Sequence, residues 1–396
     1  MSTIEVNKIT PVDGGTTVQI GESGDTINIP AGATIVNAGT STGFGDSLRP
    51  NVNPLIINGD MAVAQRGTSF TGVSSGPNFT ADRFQFYLAN LGTYTIIQEA
   101  LTSGDAYNDG FKTAFRIDTT TADASPSAAD YAILRYKFEG QDLQSIKKGT
   151  SNAQKLTLAF WVKSNKTTTG SIDLFDFNNS RIVGATYTIS SANTWEKKII
   201  NIAADTTGAF ANNNGLSLGI EWFLDTGSTY SGGTTPTAWE AQTNANRNVS
   251  NFALGSSTDN DWAITGVQLE VGEYTSSTLP PFQHESYGDN LARCQRYFQA
   301  FHPRGSGKAF GSTTAYLQVP LLKAMRSTPS YTQNAVFRIT NNDTGEFTQS
   351  STGGSFDQSD NHSGRLAGNN FSGLTDAQTI FASPNGNVSA FFNSEL

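Results

Sequence analysis

Apolar and polar positions alternate with a period of two through most of the chain between residues 50 and 280. Phe84, Phe86 and Leu88 share one face, and so do Ala132, Leu134, Tyr136 and Phe138. The pattern returns at Leu156, Leu158, Phe160 and Val162, and again at Leu216, Leu218, Ile220, Trp222 and Leu224. Successive side chains of a strand point to opposite faces, so each run predicts a strand with one buried face. Ser/Asn/Gly clusters separate the runs, and no long helical period intervenes. An antiparallel sandwich is the expected architecture.

The stretch Trp262–Phe298 closes this region. Trp262 and Ile264 share one face, and Val267, Leu269 and Val271 continue the period after a slip at Thr265–Gly266. A β-bulge there would absorb the extra residue. The prolines at 280 and 281 end the strand, because proline cannot donate to a ladder. A short helix follows. Ser286 and Asp289 fit a capping pattern, Tyr287, Leu291, Cys294 and Phe298 fall on one stripe, and Asp289 and Arg293 stand at i, i+4.

Residues 1–48 hold the short β-like runs Ile4–Ile9, Thr17–Ile20 and Thr26–Ile29, each too narrow to bury itself. They predict a β shaft or anchor that becomes stable when copies wind together. Residues 49–283 form the expected sandwich, 284–299 the linker helix, and 300–396 a small C-terminal β domain. In the last, Ala315, Leu317 and Val319 alternate, as do Phe337 and Ile339. The expected class is therefore all-β. The apolar runs of the last segment are few, and its core is expected to be thin.

The net charge is −9, and only 15% of the residues are charged. Binding nucleic acid by phosphate neutralisation would need a basic face, so that class is not expected. The first residues carry no apolar signal core, and no run approaches the roughly 20 apolar residues of a membrane helix. Synthesis in a cytoplasm without membrane insertion is the expectation. One cysteine, Cys294, excludes an intrachain disulfide.

Two separated segments carry a resemblance. Asn53-Pro-Leu-Ile-Ile-Asn-Gly-Asp-Met-Ala-Val-Ala-Gln-Arg-Gly-Thr68 is followed by Phe79-Thr-Ala-Asp-Arg-Phe84. Far downstream come Gly266-Val-Gln-Leu-Glu-Val-Gly272 and Tyr287-Gly-Asp-Asn-Leu-Ala-Arg-Cys-Gln-Arg-Tyr-Phe298. Together they resemble tail-fibre proteins of tailed bacteriophages. Ile4-Glu-Val-Asn-Lys-Ile-Thr10, then Ile20-Gly-Glu-Ser-Gly24, resembles the N-terminus of structural proteins in marine phages. The order Leu55–Asp60, Leu158–Ser164, Gly170–Leu174, Trp195–Ile200, Leu216–Ile220 and Ile264–Glu270 looks like the jelly-roll carbohydrate-binding modules of glycoside hydrolases. The resemblance implies a virion protein released by host lysis and joined through its N-terminal segment to tail or capsid proteins. It also implies first and last strands that lie close together, with a structural calcium ion possible beside them. Against that ion, Met61 and Gly266 stand where the resemblance favours acids.

Candidate chemistry is sparse. His284, His302 and His362 form no cluster with metal spacing, and His284-Glu285 lacks the second histidine of a zinc-protease helix. Cys294 lies on the apolar stripe and reads as a buried thiol. Glycan cleavage would need two opposed carboxylates roughly 5 to 9.5 Å apart. Asp173, Asp176, Glu221, Asp225, Asp343, Asp357 and Asp360 are available, and nothing in the sequence pairs them; Asp173 and Glu221 read as a solvated strand face. No catalytic residue and no metal ligand is assigned. Aromatic rings stack on the C–H faces of sugars while polar neighbours hold the hydroxyls. Trp161 points away from the Phe160/Val162 face. Tyr230, Trp239 and Arg247 lie in or beside the polar segment 225–248, a candidate binding loop. Trp195 and Trp222 read as core. The expected function is adhesion to host-surface polysaccharide by a homotrimeric fibre. A structural head fibre or capsid decoration is one alternative, and a glycan depolymerase is another.

Overall fold

The computed structural model describes residues 53–301, 305–341, 345–383 and 390–396. The chain divides into two compact units, Met1–Leu48 and Arg49–Leu396. The expected shaft lies outside the described residues. The second unit is all-β and antiparallel, with a jelly-roll sandwich, a short linker helix and a smaller β unit.

The sandwich begins with β1 (Ser69–Val73), β2 (Gly76–Asn78), β3 (Phe84–Ala89), β4 (Thr93–Ala100), β5 (Thr113–Thr121) and β6 (Tyr131–Glu139). It continues with β7 (Leu156–Lys163), β8 (Thr169–Asp176), β9 (Arg181–Thr188), β10 (Glu196–Ile202), β11 (Leu216–Thr226), β12 (Glu240–Ala241) and β13 (Asp261–Val271). A six-stranded sheet runs β1-β4-β5-β13-β7-β10, and a seven-stranded sheet runs β12-β9-β8-β11-β6-β3-β2. The alternating residues meet between them. Phe84, Phe86, Leu134, Tyr136, Phe160, Val162, Trp222, Trp262 and Ile264 are buried in one core. Phe160 sits edge-on to Tyr187 and Trp222, at 5.5 and 5.8 Å. The phase slip is a bulge: the β13–β7 register shifts between Thr265 and Gln268, and Gly266 takes φ +60°.

The opening segment Leu55–Asp60 is irregular rather than a strand. It still meets the last strand, since Val267 N donates to Gly59 O at 2.9 Å. A Cβ on Gly59 would lie 2.2 Å from Val267 O, so only glycine allows this approach. Trp195 is buried, but outside the sandwich core. It joins Leu101, Ala106, Phe111, Ala114 and Ala263 in a satellite cluster that includes Trp161.

The linker helix α1 spans Tyr287–Cys294 and is capped by Ser286, whose Oγ accepts from Asp289 N at 3.2 Å. The expected stripe holds only in part. Cys294 and Phe298 are buried, whereas Tyr287, in the first turn, is 60% exposed. Arg293 pairs with Glu285 at 2.6 Å and donates to Pro54 O at 2.7 Å, so the expected Asp289 pair is replaced by partners outside the helix. Burial pushes the Cys294 thiol pKa well up.

The smaller unit holds β14 (Phe298–Phe301), β15 (Ser306–Phe310), β16 (Thr314–Pro320), β17 (Ser330–Gln333) and β18 (Arg338–Asn341). It is completed by β19 (Glu346–Thr348), β20 (Gly354–Asp357), β21 (Ser363–Gly368), β22 (Thr379–Ser383) and β23 (Ala390–Asn393). The sheet β14-β23-β17 packs on the sheet β19-β18-β22-β15-β16-β21-β20. Leu317, Phe337, Ile339, Leu366, Ile380 and Phe392 lie in the core between them. After β23 the chain returns to the sandwich, where Glu395 pairs with Arg66 at 3.3 Å and with Arg83.

Candidate functional site

The outer face of the seven-stranded sheet carries a row of charged side chains beside a group of aromatic ones. Register places Asp173 on β8 opposite Glu221 on β11, Glu221 opposite Arg135 on β6, and Arg135 opposite Gln85 on β3. These side chains alternate with the core residues, so one polar row crosses four strands. Asp173 and Glu221 are fully buried, which corrects the expected solvated face. They are covered by Arg247, brought in by the segment that follows β11. Its Nε donates to Asp173 Oδ2 at 2.6 Å, and Nη2 pairs with Glu221. Arg135 Nε pairs with the other Glu221 oxygen.

The covering segment is ordered by its own amides. Asn248 N donates to Tyr230 O at 2.8 Å, and Asn248 Nδ2 donates to Thr226 Oγ1 at 2.7 Å. Asn251 Nδ2 donates to Asp225 Oδ1 at 2.9 Å, and Gly255 N to Asp225 Oδ2 at 2.9 Å. Gly227 is required at its base, where a Cβ would lie 1.8 Å from Ser127 O. Asn and Gly abound in this segment because short side chains and bare backbone replace a sheet ladder as hydrogen-bond partners.

Charge within the row is divided unevenly. Burial pushes the Asp173 pKa up to about 7; Arg247 opposes the rise and Glu221 adds to it. Burial works against the Glu221 charge too, yet Arg135 and Arg247 hold its pKa below the ordinary value. Glu221 is thus the ionised member, and Asp173 is the one that takes a proton near neutrality.

A ledge of rings runs beside the row. Tyr87 on β3 stacks on Tyr131 at 5.4 Å, and Tyr230 meets Tyr131 edge-on at 5.7 Å. The Arg135 guanidinium lies 5.0 Å from the Tyr87 ring. The Arg247 guanidinium lies 4.9 Å from Phe175 and 5.3 Å from Phe223. Tyr87, Tyr131, Tyr230 and Arg135 are half-buried, so the ledge faces solvent with its orientation fixed by its neighbours.

Of the residues singled out from sequence, Tyr230 and Arg247 meet at this face. Tyr230 is an edge of the ledge. Arg247 is 7% exposed and serves as counter-charge beneath it rather than as an open contact. Trp239 lies elsewhere: its ring packs on the sandwich core, Nε1 donates to Ala203 O at 2.8 Å, and Lys148 Nζ lies 5.0 Å from the ring. Trp161 stands on the opposite sheet, half-buried, with Nε1 donating to Asp109 Oδ2 at 3.1 Å. Sequence reasoning missed Tyr87, Tyr131 and Arg135. They sit on the polar half of strands whose apolar half drew attention, and only cross-strand register unites them.

Around the opening turn, Asn58 takes φ +61°, accepts from Val63 N at 2.9 Å, and donates to Val63 O and Asp82 O, each at 2.9 Å. Asp60 accepts from Asn290 Nδ2 at 3.2 Å, and burial raises its pKa. These groups spend their polar atoms on the turn. Among the described residues, no group of three or more His, Cys, Asp or Glu side chains lies close enough to hold a metal ion.

No protein-family model matches the chain, and no curated protein matches it. Solved structures do match part of it. The enzymatically active domain of bacteriophage CBA120 tailspike protein 4 is similar at 16% identity and TM-score 0.27, over 48% of this chain and 19% of that one. A family 11 carbohydrate-binding module of a Clostridium thermocellum cellulosomal cellulase is similar at 9% identity and TM-score 0.24, over 51% of this chain and 99% of that one. An exo-β-agarase is similar at 9% identity and TM-score 0.27, over 57% of this chain and 33% of that one. Such distant likenesses carry no argument about ligand or activity, and the fold described above rests on this chain's own strands and pairings.

Proposed function

We propose that this chain is a virion adhesion protein, a tail fibre or related surface appendage, whose jelly-roll holds host-surface glycan on the outer face of its seven-stranded sheet. The observation that carries the reading is the half-buried Tyr87–Tyr131–Tyr230 ledge with Arg135 beside it, its guanidinium held in place by the buried Glu221. A sugar ring offers an apolar C–H face to stacked aromatics and a rim of hydroxyls to fixed polar groups. Attachment to the particle is assigned to residues 1–48, and a homotrimer would sum several weak sites by multivalency. The sequence resemblance to phage tail fibres supports the virion setting.

Tyr87→Ala and Tyr131→Ala test the site on an array of bacterial surface polysaccharides. Loss of one stacked ring is expected to cost about 1–3 kcal/mol of binding, roughly a fivefold to hundredfold loss, with an unchanged melting curve. Variants that hold glycan as the parent does would remove the face from the reading. Purified protein is expected to block adsorption of the phage; unhindered adsorption would favour a purely structural virion protein. Release of reducing ends from capsule would instead bring in the depolymerase alternative. Light scattering reads the oligomer directly, and a stable monomer at micromolar concentration would overturn the trimer.

A further inference from the structure

The larger sheet of the smaller β unit buries one face and leaves the other open. Ala309, Ala315, Leu317, Leu366 and Ile380 point into its core. On the opposite face Phe310 is 61% exposed and Phe381 is 41% exposed. Lys308 is exposed and stands in register between Tyr316 on β16 and Thr379 on β22. The Phe310 and Tyr316 rings lie 5.2 Å apart at 31°, and the Arg365 guanidinium lies 4.2 Å from Tyr316. A hollow of about 550 Å³ between the sandwich and the linker helix is walled by the Arg296–Glu139 ion pair, whereas the open face carries a shallower hollow of about 400 Å³ lined by Ser306, Lys308, Tyr316, Gln318, Arg365 and Thr379.

We infer that this face is a second carbohydrate site, separate from the jelly-roll, and that it takes acidic polysaccharide. Charge selects the ligand. The chain as a whole carries −9, yet this face presents Lys308 with no ion-pair partner among the described residues. Arg365 is held in a bidentate pair with Asp357, at 2.7 and 2.9 Å, which fixes its plane against Tyr316. A uronic-acid polymer offers both complements: C–H faces for Phe310 and Tyr316, and carboxylates for Lys308 and the guanidinium edge.

The test uses the full chain with polygalacturonate, alginate and hyaluronan as probes, and methyl-esterified polygalacturonate as the uncharged counterpart. Wild type is expected to retain at least one acidic polymer, less tightly as salt rises, and to bind the esterified polymer at least tenfold more weakly. Phe310→Ser and Lys308→Gln, both exposed and outside the core, are expected to weaken the acidic polymer about tenfold each without moving the melting curve. Tyr131→Ala is expected to leave this binding intact, so failure of the jelly-roll reading and failure of this one are told apart. The inference is overturned if none of the acidic polymers binds, or if both tip variants bind as wild type does. It is equally overturned if Phe310→Ser dissociates an oligomer, which would show that another copy covers the face.

Discussion

Arg247→Met tests the electrostatics of the candidate site. Methionine keeps much of the side-chain length and apolar bulk, so the change removes charge more than volume. Arg247 spans two fully buried carboxyls, Asp173 and Glu221, and leaves Arg135 as their remaining cation. Breaking a buried pair by deleting one partner costs about 3–5 kcal/mol, because a charge stays behind without compensation. The loss is pH-dependent, and its sign follows from Asp173. That carboxyl already has a folded pKa of about 7, raised above its ordinary value by burial. A raised carboxyl binds more protons in the folded state than in the unfolded one, so stability falls as pH climbs between the two values. Without Arg247 the folded value climbs further. The variant should therefore be worst above neutrality and should recover toward about pH 5, where Asp173 is protonated in the fold.

Urea unfolding followed by tryptophan fluorescence is the assay, since Trp222 and Trp262 lie in the sandwich core beneath the site. The midpoint of Arg247→Met at about pH 7.5 should lie well below that of wild type, and the gap should narrow near pH 5. Adding Asp173→Asn to the variant should restore most of the loss at the higher pH, because an amide needs no counter-charge. A single variant within about 0.5 kcal/mol of wild type, the range of ordinary surface changes, would refute the buried-pair reasoning.

Two further outcomes follow from buried charge elsewhere. Burial pushes the Asp82 carboxyl up to about 6, against the pull of Arg66, so the stability of wild type relative to Asp82→Asn should fall as pH rises from about 4 to 6 and then level; thermal melts across that window that stay parallel would contradict it. Lys148 Nζ sits in a cage of Asp176 Oδ2 at 2.6 Å, Asp205 Oδ2 at 3.0 Å, Thr207 O at 2.9 Å and Gly208 O at 2.7 Å. Lys148→Ala should cost about 3–5 kcal/mol, and because hard cations favour such oxygen sets, millimolar calcium should raise the melting point of the variant and leave wild type unmoved; an equal response from both proteins would show that the lysine does not fill the cage.

Much of the sandwich was legible because its strands are amphipathic. Phe84, Leu134, Phe160 and Trp222 declare a buried face by alternation alone, and the slip at Thr265–Gly266 announced a bulge. The site was less legible because its residues occupy the other half of the same alternation. Asp173 and Glu221 looked solvated, since nothing local reveals that a segment from Gly227 onward lies over them and delivers Arg247. Arg135 becomes their partner only through the β11–β6 register. The tryptophans are placed by contacts that lie far off in the chain. Trp239 stands in a polar segment and Trp161 on the face of β7 opposite Phe160 and Val162, but each ring is packed and each indole N–H is already bonded, to Ala203 O and to Asp109. Sequence neighbours of a long loop do not say which of its rings turn inward.

The smaller β unit also alters the case for oligomerisation. Its few apolar runs suggested a core too thin to stand without other copies. In the fold, Phe301, Phe371 and Phe392 add to that core from scattered positions that no alternation marks. The unit is further tied to the sandwich at both of its ends. Gln65 Nε2 donates to Phe298 O at 2.8 Å where β14 begins, and Glu395 is held by Arg66 and Arg83 after β23. Arg66 itself lies between the Phe79 and Phe298 rings, at 4.2 and 3.5 Å, so the charged pair and the ring packing share one side chain. Interactions that fix both ends of a domain against its neighbour supply from within the chain the burial that a second copy would otherwise provide. On the proposed adhesion reading, a trimer would serve to multiply weak sugar sites, and the smaller unit would not need it for its own burial.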